Sequence, residues 1–135
     1  MQEEDETAPS LARACEQYLY EPNAAVMKAG AFKSIATRFG LQKLHSHTHL
    51  YTSNDFIVDF PGRIFHIRNA FPFHKKEIIK QLSDIKQANI AVRNFPLSAE
   101  ELRKELKMKD GGEDYLFGAT ISPNEKTIII GEKAY

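Results

Sequence analysis

Cysteine is almost missing from this 135-residue chain, with Cys15 the only one. That excludes an internal disulfide and a cysteine-based zinc site. No base is paired with Cys15 in the sequence, so it reads as an incidental thiol rather than a nucleophile. Long apolar runs are missing too: none approaches the roughly 20 residues a membrane span requires. The N-terminus is acidic, the opposite of a signal peptide, so a cytoplasmic protein without a membrane partner is expected. The seven glycines never fall into G-x-G-x-x-G or G-x-x-x-x-G-K, which leaves no phosphate-cradling loop. No strand-turn-helix start is followed by a carboxylate about 20 residues on, the arrangement that holds a nucleoside cofactor. An Asn-Pro-Pro-Tyr-type methyl-transfer motif and a G-x-S-x-G elbow are likewise missing. The pair Glu100-Glu101 sits at a helix start, where the helix dipole already accounts for it. The expectation is a chain with no catalytic site and no cofactor of its own.

Net charge is also lacking overall, with 18 basic and 18 acidic residues. The balance is uneven, however. Residues 1–22 hold six acids against Arg13, a net of −5, which leaves +5 on residues 23–135. A mildly basic body permits contact with nucleic acid without demanding it. Residues 1–17 read as an acidic tail or a linker from an upstream domain, with a short helix possible over Ser10–Gln17. Residues 18–135 read as a single domain, long enough to bury a core.

Within that domain the stretch Tyr18 to Gly40 predicts a short aromatic strand running into a helix. Pro22 would sit in the first helical turn. The stripe is Ala25, Val26, Ala29, Phe32, Ala36 and Phe39, Gly30 is a close-packing position, and Gly40 is the terminator. Leu41–Leu44 is extended. If His45-Ser46-His47-Thr48-His49 continues that strand, its three imidazoles share one face, which invites a metal reading. The plainer reading is a polar strand or turn whose histidines hydrogen-bond locally. Leu50–Ser53 and Phe56–Phe60 are expected strands, with Pro61-Gly62 a turn. Arg63–Phe71 is the clearest strand, with Phe65, Ile67 and Phe71 on one face and Ile64, His66, Arg68 and Ala70 on the other.

A helix is predicted over His74–Lys86, with a stripe of Ile78, Ile79, Leu82 and Ile85, and a strand over Asn89–Phe95. Ser98 and Glu101 then form a capping box, with Leu97 packing on Leu102 as a staple. This helix is expected to run to about Lys107, with Asp110-Gly111-Gly112 as the stop beyond it. Strands over Asp114–Ile121 and Lys126–Glu132 close a hairpin. The order β-α-β-α-β-β implies an α+β fold, a mixed sheet with helices mainly on one face and the other face partly open.

The strings YLYEPNAAVMKAG (residues 18–30), LHSHTHLYTS (44–53) and FPGRIFHI (60–67) resemble the C-terminal THUMP-like domain of a bacterial class I S-adenosylmethionine-dependent methyltransferase family of the kind found in Bacteroides relatives. The resemblance covers Tyr18 to Glu132. It implies a THUMP-like fold and an accessory, substrate-binding role, with tRNA or rRNA as the partner. S-adenosylmethionine would be held by an upstream methyltransferase domain of the same chain. In that family a histidine recurs at the positions of His45 and His49 but not reliably at that of His47, which argues against a three-histidine metal site.

Two functions compete. As an RNA-binding module, the chain would use Arg63, Arg68, Arg93, Lys33, Lys107 and Lys109 on phosphates, with His66 and Tyr51 as stacking partners. As a structural or protein-interaction domain, it would dock on the catalytic domain through an apolar patch near Tyr18, Leu19 and Tyr20. A metal protein built on His45, His47 and His49, or a small standalone enzyme, is the third reading.

Overall fold

The computed structural model describes Ala12, residues 14–25 and residues 37–134. Seven strands form one sheet: β1 (Tyr18–Pro22), β2 (Gln42–His45), β3 (Thr48–Ser53), β4 (Gly62–Pro72), β5 (Gln87–Arg93), β6 (Lys109–Ile121) and β7 (Glu125–Lys133), with helices α1 (Lys75–Gln81) and α2 (Ala99–Leu106) between β4 and β6. Their spatial order is β2-β3-β1-β4-β7-β6-β5. All neighbours pair antiparallel except β5 with β6, which are joined through α2 as a parallel pair requires. The fold is α+β, a mixed sheet with helices on one face, as the element order implies. Among the described residues no helix is long and apolar enough to cross a membrane.

Alternation of side chains builds a core on each face. Leu116, Ile128 and Ile130 point to the side covered by the helices and pack with Leu82, Leu102 and Phe71. Tyr20, Tyr51, Phe60 and Ile64 form a second cluster, joined by Phe39. Leu19, Leu44, Leu50, Phe65, Phe117 and Ile129 make a third cluster. Strands from the two halves of the sheet meet here: Ser122 N–H, just past β6, donates to the Leu44 carbonyl of β2 at 2.6 Å and the Thr48 hydroxyl of β3 to the Thr120 carbonyl of β6 at 2.6 Å. The sheet therefore curls round this third cluster, and the face expected to be partly open is its concave, packed interior.

The expected alternation of β4 is broken. Phe65 lies in the concave cluster and Phe71 in the helix-covered one, because the register against β7 slips between Ile67 and Asn69. One extra residue there turns every later side chain to the other face.

Other boundaries also moved. Pro22 ends β1, and Ala24 and Ala25 are helical, as are Thr37, Arg38 and Phe39. The rest of that expected helix, with Gly30 and Lys33, lies outside the described residues, as does the acidic stretch 1–9. Residues 14–17 are not helical, and 56–60 form a loop rather than a strand. Helix α1 is shorter than the stripe implied. The Ser98–Glu101 capping box is present, with the cap bond contributing about 1 kcal/mol. Helix α2 ends where expected, at Lys107, which itself takes the left-handed conformation. Asp110, Gly111 and Gly112 belong to β6, and the glycines take φ of 99° and 85° where β6 bulges against Ala88 and Asn89.

Candidate nucleic-acid interface

The concave side ends in a cleft of about 820 Å³. On β1, Leu19 points into the interior, so Glu21 two residues on points the same way, at the rim. Glu21 pairs in register with Arg63 at the start of β4, and Arg63 Nε donates to its Oε1 at 2.7 Å. The Arg63 guanidinium also lies over the Phe65 and Tyr115 rings, 5.2 and 5.8 Å from their centroids, a cation–π arrangement. Arg93 arrives from the far margin, at the end of β5. Its Nη2 donates to Glu21 Oε2, and its Nη1 to the Val92 carbonyl at 2.8 Å.

The backbone around these groups is fixed closely. A Cβ on Gly62 would fall 2.1 Å from the Glu21 carbonyl oxygen, so only glycine lets the two strands approach here. Asn94 follows Arg93 with a φ of 54°. Its carbonyl accepts from the Thr120 hydroxyl at 2.5 Å, and its Nδ2 donates to Thr48 Oγ1 at 3.2 Å. These bonds hold the end of β5 over the mouth of the cleft.

Electrostatically the cleft has one buried carboxylate between two partly exposed guanidiniums. The Glu21 side chain is 10% exposed, against 44% and 39% for Arg63 and Arg93. Formal charge is thus positive by one at the opening. His47 and His49 line the same cleft. Burial, then the nearby Lys43, holds the His49 imidazole below its usual range, which favours the neutral form.

The structure gathers only part of the set picked out from the sequence. Arg63 and Arg93 come together. Arg68 instead pairs with Asp114 at 2.5 Å. Lys109 pairs in register with Gln87, at the opposite end of β5 from Arg93, and Lys107 ends α2 two residues before it. His66 is 3.7 Å from Glu132 and its ring tilts against Tyr18 at 5.6 Å. Tyr51 is fully buried, and burial pushes its phenol up to about 12. Its ring is therefore closed to stacking, contrary to the expectation for this residue. Lys33 lies outside the described residues. Leu19 and Tyr20 are buried as well, so the apolar surface near β1 comes from Phe56, which tilts against Tyr18 at 5.5 Å, and from Val58 on the same loop.

The histidine run does not form one strand face. Ser46 and His47 make a tight turn between β2 and β3. The His47 backbone N–H donates to His45 Nδ1 at 3.0 Å, so the His45 proton sits on Nε2, 3.1 Å from the Pro123 carbonyl oxygen. Among the described residues no three His, Cys, Asp or Glu side chains converge as a metal site needs.

Glu21 was not singled out from the sequence, where it reads as one more acid of the N-terminal segment. The usable signal was its place two residues after Leu19 on a strand, which aims it inward.

Residues 18–61 match a family described as a ferredoxin-like domain, and residues 62–133 match one described as THUMP domain-like. The two stretches share one sheet here, through the pairing of β1 with β4. A crystal structure of a Porphyromonas gingivalis W83 protein assigned as a methyltransferase superposes with a TM-score of 0.90 at 42% identity. The match covers all of this chain and 34% of that protein, so the chain spans about a third of its length. A comparison with curated proteins gives no significant match.

Proposed function

From a chain that belongs to the THUMP domain-like family, we propose an accessory RNA-holding domain of a bacterial, cytoplasmic S-adenosylmethionine-dependent methyltransferase. The larger solved relative supports a methyltransferase domain elsewhere in the same polypeptide. That domain would hold S-adenosylmethionine and transfer the methyl group, with the acidic residues 1–17 as the linker to it. The observation that carries the reading is the cleft in which Glu21 presents Arg63 and Arg93 side by side.

Each guanidinium has five N–H donors. Those not engaged with Glu21 or Val92 can donate to phosphate oxygens, and the planar fork suits two oxygens at once. Glu21 fixes both arginines before RNA arrives, which lowers the ordering cost of binding. The mechanism is phosphate neutralisation and shape recognition rather than base reading. The test is fluorescence anisotropy of the purified chain with labelled tRNA and an rRNA fragment across a salt series. Arg93→Ala is expected to weaken binding and to flatten the logarithmic salt slope by about 0.7–0.9 for each phosphate no longer neutralised. Arg68→Ala is expected to do less, since Arg68 is occupied by Asp114 away from the cleft. Undetectable binding at low salt defeats the proposal.

A second reading, docking on the catalytic domain without RNA contact, draws on the exposed Phe56 and Val58 beside Tyr18. It gains if RNA binding is absent while Phe56→Ser and Val58→Ser loosen the domain from its neighbour.

A further inference from the structure

Away from the cleft, on the helix-covered face, lies a groove of about 700 Å³ between α1 and the C-terminal end of α2. Its floor is largely aliphatic, with Ile78, Ile79, Leu82 and Leu106. Ile79 is 65% exposed, although a position on a packed helix normally buries such a residue, and no residue of α1 is fully buried. The rim is cationic: Lys75, Lys86 and Lys107 stand round the groove against the single acid Glu105. None of the three lysines makes an ion pair among the described residues. Phe73 also lines the groove, but its ring is already packed edge-on against Phe95 at 5.0 Å.

We propose that this groove docks an amphipathic helical segment of a protein partner, apolar along one side and carboxylate-rich along its flanks. Leu or Ile side chains at i, i+3, i+4 and i+7 of such a helix meet the aliphatic floor. Its flanking carboxylates meet lysines that lack acidic partners among the described residues, which sets orientation and rejects basic segments. A nucleic acid fits less well. It would place phosphates on the rim but find only the single exposed His74 imidazole as a surface for its bases, and exposed Ile79 would gain nothing from it. The groove and the arginine cleft are independent, since no residue lines both.

The probe is a labelled synthetic helix of about 18 residues, long enough to hold some helicity alone, with Leu at the heptad-like positions and Glu elsewhere. Its counterpart with Lys in place of every Glu is the control, and a labelled oligonucleotide is the third arm. Anisotropy with the full chain is expected to show saturable binding of the acidic peptide and none of its lysine counterpart, while any oligonucleotide binding, made at the arginine cleft, is expected to survive Lys86→Glu. Ile79→Asp is expected to weaken it by about tenfold or more, as loss of a central apolar anchor does. Lys86→Glu is expected to weaken it and reduce its salt dependence. Both sites are exposed, so thermal melts of these variants should match the parent. Arg93→Ala is expected to leave peptide binding unchanged, which separates this result from the RNA result. The proposal is overturned if the acidic peptide fails to bind, if both peptides bind alike, if the oligonucleotide is preferred and its binding abolished by Lys86→Glu, or if Ile79→Asp abolishes a self-association seen by sedimentation instead.

Discussion

Arg93 donates to the carboxylate of Glu21, 72 residues earlier in the chain. Their strands are not neighbours: β4, β7 and β6 lie between β1 and β5. The contact is possible only because the sheet curls, and it ties the free margin of β5 back to the middle of the sheet. Arg63, adjacent to Glu21 on β4, completes the arrangement from the other side.

Replacing Glu21 with Gln keeps the shape and removes the charge that both guanidiniums share. The carboxylate is nearly buried, but its partners are well exposed, so the electrostatic loss is screened. A drop of about 1–2 kcal/mol in unfolding free energy is expected in urea titration. A Gln amide has one acceptor oxygen and cannot hold both guanidiniums, so the arginines lose their fixed placement and RNA affinity is expected to fall along with stability. An unchanged urea midpoint means that the pair contributes nothing to stability.

Gly62→Ala tests the close approach of β1 and β4. The new methyl would meet the Glu21 carbonyl oxygen at 2.1 Å and the Phe60 ring at 2.8 Å, and backbone cannot step aside cheaply. A loss of about 1–3 kcal/mol is expected. The same shift should displace Glu21 and weaken RNA binding. A fully stable variant with unaltered amide shifts around Tyr20 to Pro22 contradicts this packing.

Alkaline pH is expected to destabilise the fold. Burial pushes the Cys15 thiol up to about 12, does the same to the Tyr51 phenol, and raises the Tyr20 phenol. In the unfolded chain a thiol ionises near about 8.5 and a phenol near about 10. Above those values the unfolded state binds fewer protons than the folded one, so stability falls as pH rises. The contribution is complete below about pH 8.5 and is lost progressively towards 12. Urea midpoints at pH 7, 9 and 10.5 should fall in that order. Iodoacetamide should modify Cys15 slowly at pH 8.5 in the native chain and quickly in urea. Fast native alkylation refutes the burial argument.

The local part of this architecture was legible in the sequence, and the non-local part was not. Ser98, Glu101 and Leu102 announce α2 because capping and amphipathicity act within one turn. The alternation of β6 and β7 announces two strands for the same reason. The slip near Arg68 was invisible, since a bulge is decided by the partner strand, and it sent Phe65 and Phe71 to opposite faces. Gly111 and Gly112 look like a helix terminator, yet Lys107 takes the left-handed position before them. Three alternating histidines look like one strand face, but a turn at Ser46 and His47 divides them. At the cleft, Arg63 and Arg93 could be chosen by charge. That Glu21 unites them depends on curvature across five strands, which no local window contains.

The seam between the two family-matched stretches falls at Pro61 and Gly62, where β1 is already laced to β4. A polypeptide begun at Gly62 would leave β4 with a raw margin, strip Leu19 and Tyr20 from two hydrophobic clusters, and orphan both arginines. One ended at Pro61 would be three short strands with half an interior. Expressed separately, neither stretch is expected to close this interior by itself.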